Sequence, residues 1–371
     1  MLMRRYILPL FSLAFIANAA PNAAAQSGVL IGVATPDDYE TLWIVRDATR
    51  PVHATLHDLL VPRPDGWWRV GTLPICPTGG PEAQAMEVLW RVRADSAPLI
   101  AEICHEVPAS ELPNAASVAS EAAADSLGKM MVRCSWSRTE IKFVSPEYVA
   151  VGERSGQTEE CEPRGGRWYQ TYYVSRFNGD SSLTLTEVAG PRVDSAGRVA
   201  HVRAEAERRR GEGCTHAVAS FDSTRVLEVG GEWYPARASG RWVPVLFTQI
   251  GTSDCRLDAV ADMALASSLT GVDSLRPRWS VLARQMDGLR DALSSPSGDL
   301  VVARVSDSLV VHLSDGERLG RRIGALPFAH REIVMIQWAT GRTVARWDAE
   351  IAAMMRRGLP APQIVPPPTA P

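Results

Sequence analysis

Between residues 41 and 338 the chain is cut into apolar runs of four to seven residues, most of them closed by Gly, Pro, Asn or Asp. Runs of that length are short for stable helices and right for strands. Residues 41–45, 67–70, 99–103, 140–144, 148–151, 168–174, 183–186, 225–229 and 243–249 are rich in the β-branched and aromatic side chains that suit a pleated surface. Residues 88–92 set Arg91 among apolar neighbours. Residues 299–305 and 308–313 flank the short turn Ser306-Asp307, the clearest hairpin in the chain. After the turn Ser314-Asp315-Gly316, residues 333–338 give a further strand.

Five stretches carry helical signals. Residues 115–127 are Ala-rich behind Asn114, and residues 195–210 follow Asp194 and stop at Gly211. Residues 256–269 space Leu257, Val260, Ala264 and Leu265 as a helix would, and residues 279–293 repeat Leu282, Met286, Leu289 and Leu293. Residues 343–357 repeat Val344, Trp347, Ile351 and Met354 and end at Gly358, a C-terminal stop. The pattern predicts an α+β fold dominated by antiparallel β-sheet, with about five helices.

A Trp-bearing motif recurs as Gly66-Trp67-Trp68-Arg69, Gly166-Arg167-Trp168-Tyr169 and Gly240-Arg241-Trp242-Val243, each after a turn and at the start of a strand. Its spacing is uneven, whereas a solenoid or regular propeller holds a fixed period. An irregular β-propeller is the alternative architecture.

The first 25 residues read as a cleavable secretory signal peptide. Arg4 and Arg5 form a positive start, residues 6–20 an apolar core, and Ala23-Ala24-Ala25 a small-residue cleavage site. The expected location is therefore a periplasm or the extracellular space, and no later stretch is apolar enough to span a membrane. Removal of the leader leaves 346 residues, ample for a large core. Three regions follow: 26–130 and 131–275, both β-rich, the second with helices, and 276–357, read as helix, hairpin and helix. Residues 358–371 form a Pro-rich tail, expected to be disordered or extended.

In an exported chain the six cysteines, Cys76, Cys104, Cys134, Cys161, Cys214 and Cys255, read first as three disulfides. Nearest-neighbour pairing would close loops of roughly 27–41 residues, each stabilising by ~3–4 kcal/mol in the chain-entropy account. A net charge of −3 and the acid-interleaved run Arg208-Arg209-Arg210 give no sign of a nucleic-acid partner.

Residues 145–210 run Ser145-Pro146-Glu147-Tyr148-Val149-Ala150-Val151, then Gly165-Gly166, a strand at 168–174, the turn Asn178-Gly179-Asp180, Leu183-Thr184-Leu185 and a charged helix. This order resembles the β-rich extracellular domain of envelope sensor proteins and cell-wall deacetylases. The resemblance implies a binding or sensing module. Where that family carries Gly-Gly-Ala-His, this chain has Glu159-Glu160-Cys161-Glu162-Pro163.

Catalytic patterns are thin. Ser126-Leu127-Gly128-Lys129 fits SxxK, but neither Ser-Asp-Asn nor Lys-Thr-Gly follows. His53 and His57 would face one way on a helix and could share a metal, without the Glu of HExxH. Glu159, Glu160 and Glu162 read as a charged loop, and no cofactor motif is present. Of eleven tryptophans, Trp67, Trp68, Trp168, Trp233 and Trp242 lie near turns and are the candidate ligand platforms. The expected function is a non-catalytic envelope or extracellular module that binds a glycan, peptide or protein. The alternative is a secreted hydrolase whose site is assembled from distant residues.

Overall fold

A computed structural model describes residues 27–36, 38–47, 50–75, 86–95, 99–100, 135–157, 168–179, 181–189, 232–249, 256–260, 263, 265–358 and 363–364. In chain order these hold β1 (Ser27–Ala34), β2 (Tyr39–Val45), β3 (Val52–His57), β4 (Leu59–Arg63), β5 (Gly66–Ile75), β6 (Met86–Arg93), β7 (Leu99–Ile100), β8 (Ser135–Val144), β9 (Tyr148–Gln157), β10 (Trp168–Arg176) and β11 (Ser182–Leu183). Then come α1 (Leu185–Ala189), β12 (Trp233–Ala238), β13 (Arg241–Gln249), β14 (Arg256–Val260), the single turn α2 (Ser267–Thr270) and α3 (Trp279–Gln285). The chain continues with β15 (Leu289–Ser294), β16 (Leu300–Val305), β17 (Ser308–Ser314), β18 (Leu319–Pro327), β19 (Glu332–Thr340), α4 (Arg342–Arg357) and β20 (Gln363–Ile364). The fold is α+β and dominated by antiparallel sheet.

One sheet of 11 strands organises the molecule, ordered β11-β10-β9-β8-β19-β1-β2-β3. Strand β4 pairs β5, β5 pairs β6, and β6 returns to β8. The sheet therefore draws strands from all three sequence regions, where a propeller would divide them among separate blades. Strand β1, Ser27-Gly-Val-Leu-Ile-Gly-Val-Ala34, lies between β19 and β2, and every residue but the last is buried. Both its faces are covered, which is why it reads as a continuous apolar run. Val29, Ile31 and Val33 point to one face and Leu30 to the other.

The two faces have different covers. On the first, Trp233, Trp242 and Leu246 of the β12-β13-β14 sheet pack beside Leu293, Val302, Leu309 and Val311 of the four-stranded β15–β18 sheet. On the second, Val344, Trp347, Ile351 and Met354 of α4 pack with Trp43, Val70, Val334 and Met335. Fully burying one such side chain contributes about 1.5–3 kcal/mol. A small separate cluster, centred on Leu282, Met286 and Val301, joins α3 to the outer face of β15–β17.

The corner from β3 into β4 is made by Asp58, at φ 67. Thr41, fully buried in β2, donates its hydroxyl to the Asp58 carbonyl and accepts the Leu60 amide, both at 2.8 Å. The Asp58 carboxylate receives Arg69 Nε at 3.0 Å and also its Nη2. A short polar residue tolerates the left-handed backbone, and an acid satisfies the buried guanidinium beside it.

Several sequence expectations change. Residues 256–269 do not form a helix: β14 pairs with β13 from Arg256↔Gln249 to Val260↔Val245, and only the turn α2 follows. The helix expected over 279–293 ends at Gln285. Gly288 takes φ 74, and Leu289–Ser294 become β15 against β16. Residues 183–186 yield only the end of β11, because Thr184 and Glu187 form a capping box that starts α1. In it Glu187 Oε2 accepts the Thr184 amide at 2.7 Å, and Thr184 Oγ1 accepts the Glu187 amide at 3.3 Å. In the tail, Gln363–Ile364 pair in parallel with Leu99–Ile100. The helices expected at 115–127 and 195–210, and the strand at 225–229, lie outside the described residues.

Candidate functional site

Strands β4 and β5 form a hairpin in which Pro62 pairs with Trp67 and Val61 with Trp68. Successive side chains of a strand point to opposite faces, so the two indoles part company. Trp68 meets Phe177 edge-on, with ring centroids 5.7 Å apart, and its Nε1 lies 3.2 Å from the Asp65 carboxylate. Trp67 turns towards α4, where its ring meets Trp347 edge-on at 5.4 Å. Trp347 in turn lies 5.8 Å from Trp43, so three indoles run from the core to the surface. The Trp67 indole donates to Glu350 at 2.7 Å.

Helix α4 sets this arrangement because its apolar stripe buries Val344, Trp347, Ile351 and Met354 against the sheet. That docking leaves Asp348 and Glu350 at the margins, each accepting an indole N–H. Asp348 takes Trp43 at 2.9 Å and the Nδ1 of His53 at 2.7 Å. Burial pushes the Asp348 carboxyl up, but the hydrogen bonds from His53 and Trp43 outweigh it and hold the group below its ordinary range. The other His53 nitrogen faces Asp47 at 3.5 Å, so both ring nitrogens look onto carboxylates.

A cleft of about 540 Å³ opens where the hairpin, α4 and the Ser145–Tyr148 turn meet. Trp67 and Trp347 supply aromatic wall, Pro62, Pro64 and Pro146 rigid apolar wall, and Arg346 and Glu350 the charged rim. Arg63 closes one side: it donates to the Pro146 carbonyl, and its guanidinium stacks 4.3 Å from the Phe177 centroid. Aromatic wall, fixed apolar wall and a few convergent polar groups are the makings of a recognition site.

The five candidate tryptophans fall into different settings. Trp67 lines the cleft and Trp68 is half-buried beside it. Trp168 opens β10, opposite Gly156. Trp233 and Trp242 are core residues, 0% and 1% exposed, and this corrects their reading as platforms. Trp233 donates to the Leu183 carbonyl at 3.0 Å, and Trp242 stacks edge-on against Phe143 at 4.8 Å. A platform needs an open ring face, and these two have none.

His53 and His57 lie on strand β3, where residues four apart are separated by about 13 Å, too far to share one ion. Among the described residues no cluster of three or more His, Cys, Asp or Glu could hold a metal. The six cysteines and the Ser126–Lys129 motif lie outside the described residues. Sequence reasoning missed Arg63, Arg346 and Glu350, and read Trp347 only as part of the helical repeat over residues 343–357. No local signal marks them as one group, because only the docking of α4 on β5 assembles them.

Among the described residues no helix is long and apolar enough to cross a membrane. Comparisons with protein-family models, with curated proteins and with solved structures find no match to this chain.

Proposed function

We propose that this protein is a non-catalytic binding module of the cell envelope or extracellular space, and that it takes a glycan in the Trp67–Trp347 cleft. The observation that carries this reading is the fixing of Trp67. Trp347 holds its ring at 5.4 Å and Glu350 holds its nitrogen at 2.7 Å, at the wall of an open cleft. An indole already held in place loses little freedom on contact with a ligand. Aromatic surface next to Glu350 and Arg346 matches a sugar ring, which offers apolar C–H faces and hydroxyls at its edges. Residues 1–25 as a removable leader, and pairing of the six cysteines, agree with that location. The resemblance of residues 145–210 to an extracellular sensing domain supports the same reading, since Pro146 of that stretch lines the cleft.

The test is retention of residues 26–371 on insoluble cell-wall material. The wild type is expected to be retained, and Trp67→Ala and Glu350→Gln to lose retention while keeping a cooperative thermal transition. Equal retention of wild type and both variants would reject this cleft. Failure of the wild type to bind would reject the glycan.

A further inference from the structure

A second recess lies elsewhere on the molecule and shares no residue with the Trp67 cleft. Two cavities of about 510 and 260 Å³ adjoin there and have Lys142, Arg304 and Glu332 in common. Their walls come from β8, β12, β15, β16, the start of β19 and the turn between β1 and β2. Six cations line them, Arg138, Lys142, Arg237, Arg290, Arg304 and Arg331, against the three carboxylates Glu140, Asp291 and Glu332.

Most of these charges are already engaged. Lys142 lies 2.7 Å from Glu140, Arg237 2.9 Å from Asp291, and Arg331 2.9 Å from Glu40 outside the recess. Arg138 donates to the Pro36 carbonyl at 2.9 Å. Arg304 is different. Its guanidinium sits 5.5 Å from the Phe328 ring centroid, and among the described residues its Nε is buried with no hydrogen-bond partner. A buried donor on a permanent cation is costly to leave unmade, so the rest of this guanidinium gains most from an acceptor brought against it.

The local field agrees. Burial alone pushes the Glu140 carboxyl up, yet Lys142, Arg154 and Arg138 overcome that and hold it below its ordinary range. Positive potential thus prevails at the wall where Lys142 stands.

We infer that this recess binds an oxyanion of the phosphate-ester class, held by Arg304 with Lys142. Arg304 lines both cavities, and a planar guanidinium matches two oxygens of one phosphate. The excess of cations over carboxylates suits a dianion, and the joint volume admits an organic group beyond the phosphate. This site is independent of the glycan reading above.

The experiment is calorimetric titration of residues 26–371 with inorganic phosphate and with glycerol 3-phosphate at low ionic strength. Both are expected to bind, the ester more tightly, with affinity falling as salt is raised. Arg304→Met keeps the stem on Phe328 and is expected to weaken both at least tenfold. Arg304→Lys keeps the charge without the two-pronged geometry and should fall between. Glu332→Gln removes an opposing charge and should tighten binding. Arg284→Met, an exposed cation on α3 away from the recess, should leave the titration unchanged. Tighter binding of inorganic phosphate than of the ester would point to the free ion as ligand and overturn the ester. No binding by the wild type, wild-type titration by both Arg304 variants, or an equal loss in Arg284→Met would overturn the site.

Discussion

Arg237 of β12 grips Asp291 of β15 with two donors, Nε to Oδ2 at 2.9 Å and Nη2 to Oδ1 at 3.2 Å. The same guanidinium donates to Asp273 at 2.7 Å and to the Ala292 carbonyl at 2.7 Å, and the two acids also accept the backbone amides of Gly240 and Trp242. One side chain thus ties the β12-β13 hairpin to the four-stranded sheet. Burial by itself would ease the proton off Arg237, but the two carboxylates outweigh it and hold the charge more firmly than usual. Arg237→Ala strands two buried acids and is expected to cost about 3–5 kcal/mol in denaturant unfolding. A loss under about 1 kcal/mol would show that water reaches the acids and relieves them.

Glu232, one residue before β12, should make stability depend on pH near neutrality. Burial pushes its carboxyl up to about 7 from an ordinary 4.5. The folded protein therefore holds this proton more tightly than the unfolded chain does. Stability falls as pH rises from about 4.5 through 7, and the full penalty remains above that window. Glu232→Gln carries no such proton. Its thermal midpoint is expected to exceed the wild type's at pH 8 and to match it at pH 4. A constant difference across that range would deny the linkage.

Asp348 should behave in the opposite sense. Its carboxyl is held below the ordinary range, so its contribution is present at neutral pH and is lost as pH falls through the folded value. Asp348→Asn is expected to lower stability at pH 7 by about 1 kcal/mol, the worth of a partly exposed charged hydrogen bond. The gap between wild type and variant should narrow at a second, more acid pH below the ordinary carboxylate range. Chemical unfolding at the two pH values measures it.

Gly28 sits under the indole of Trp43, itself 0% exposed. A Cβ at residue 28 would stand 2.4 Å from Trp43 Cη2, so β1 and the ring cannot both keep their places. Overpacking of this kind costs about 1–3 kcal/mol. Gly28→Ala is expected to lose that much. The double variant Gly28→Ala/Trp43→Phe, with a smaller ring, should lose less than the two single losses added together. Simple additivity would place the strain elsewhere.

How far the sequence foretells this molecule varies by element. Helix α4 was legible to within one residue: Val344, Trp347, Ile351 and Met354 are its buried stripe, and Gly358 closes it at φ 72. The hairpin at Ser306-Asp307 was equally plain, with Ser306 at φ 50. Leu282 and Met286 do face one way, as helical spacing requires, and Leu289 joins their cluster from a strand, but the irregularity between Leu289 and Asp291 turns Leu293 into the main core. Gly288, at φ 74, ends the helix and lets the strand begin. Strand β1 was overlooked because its two glycines dilute the β signal, and only the close approach of Trp43 and Met335 explains them. At the cleft, the turn beside Trp67 was visible. The same turn signal beside Trp233 and Trp242 misled, since the sheet that covers these rings is made from residues some 50 or more positions further on. Glu350 and Arg346 carry no mark of their own until α4 docks.

The pairing of Ser27 with Thr340 joins residues more than 300 apart. Strand β1 gains its second neighbour only after nearly the whole chain is available, so the central sheet must remain open for most of synthesis. Closing such a contact is slow, and an apolar strand with a bare edge invites pairing with other chains in the meantime. A chain cut before β19 loses the neighbour that covers β1 and, with it, the helix that roofs the second face. Residues 332–357, which hold β19 and α4, thus act as the keystone of the fold, and shortening the protein from that end should produce aggregation in place of a smaller folded unit.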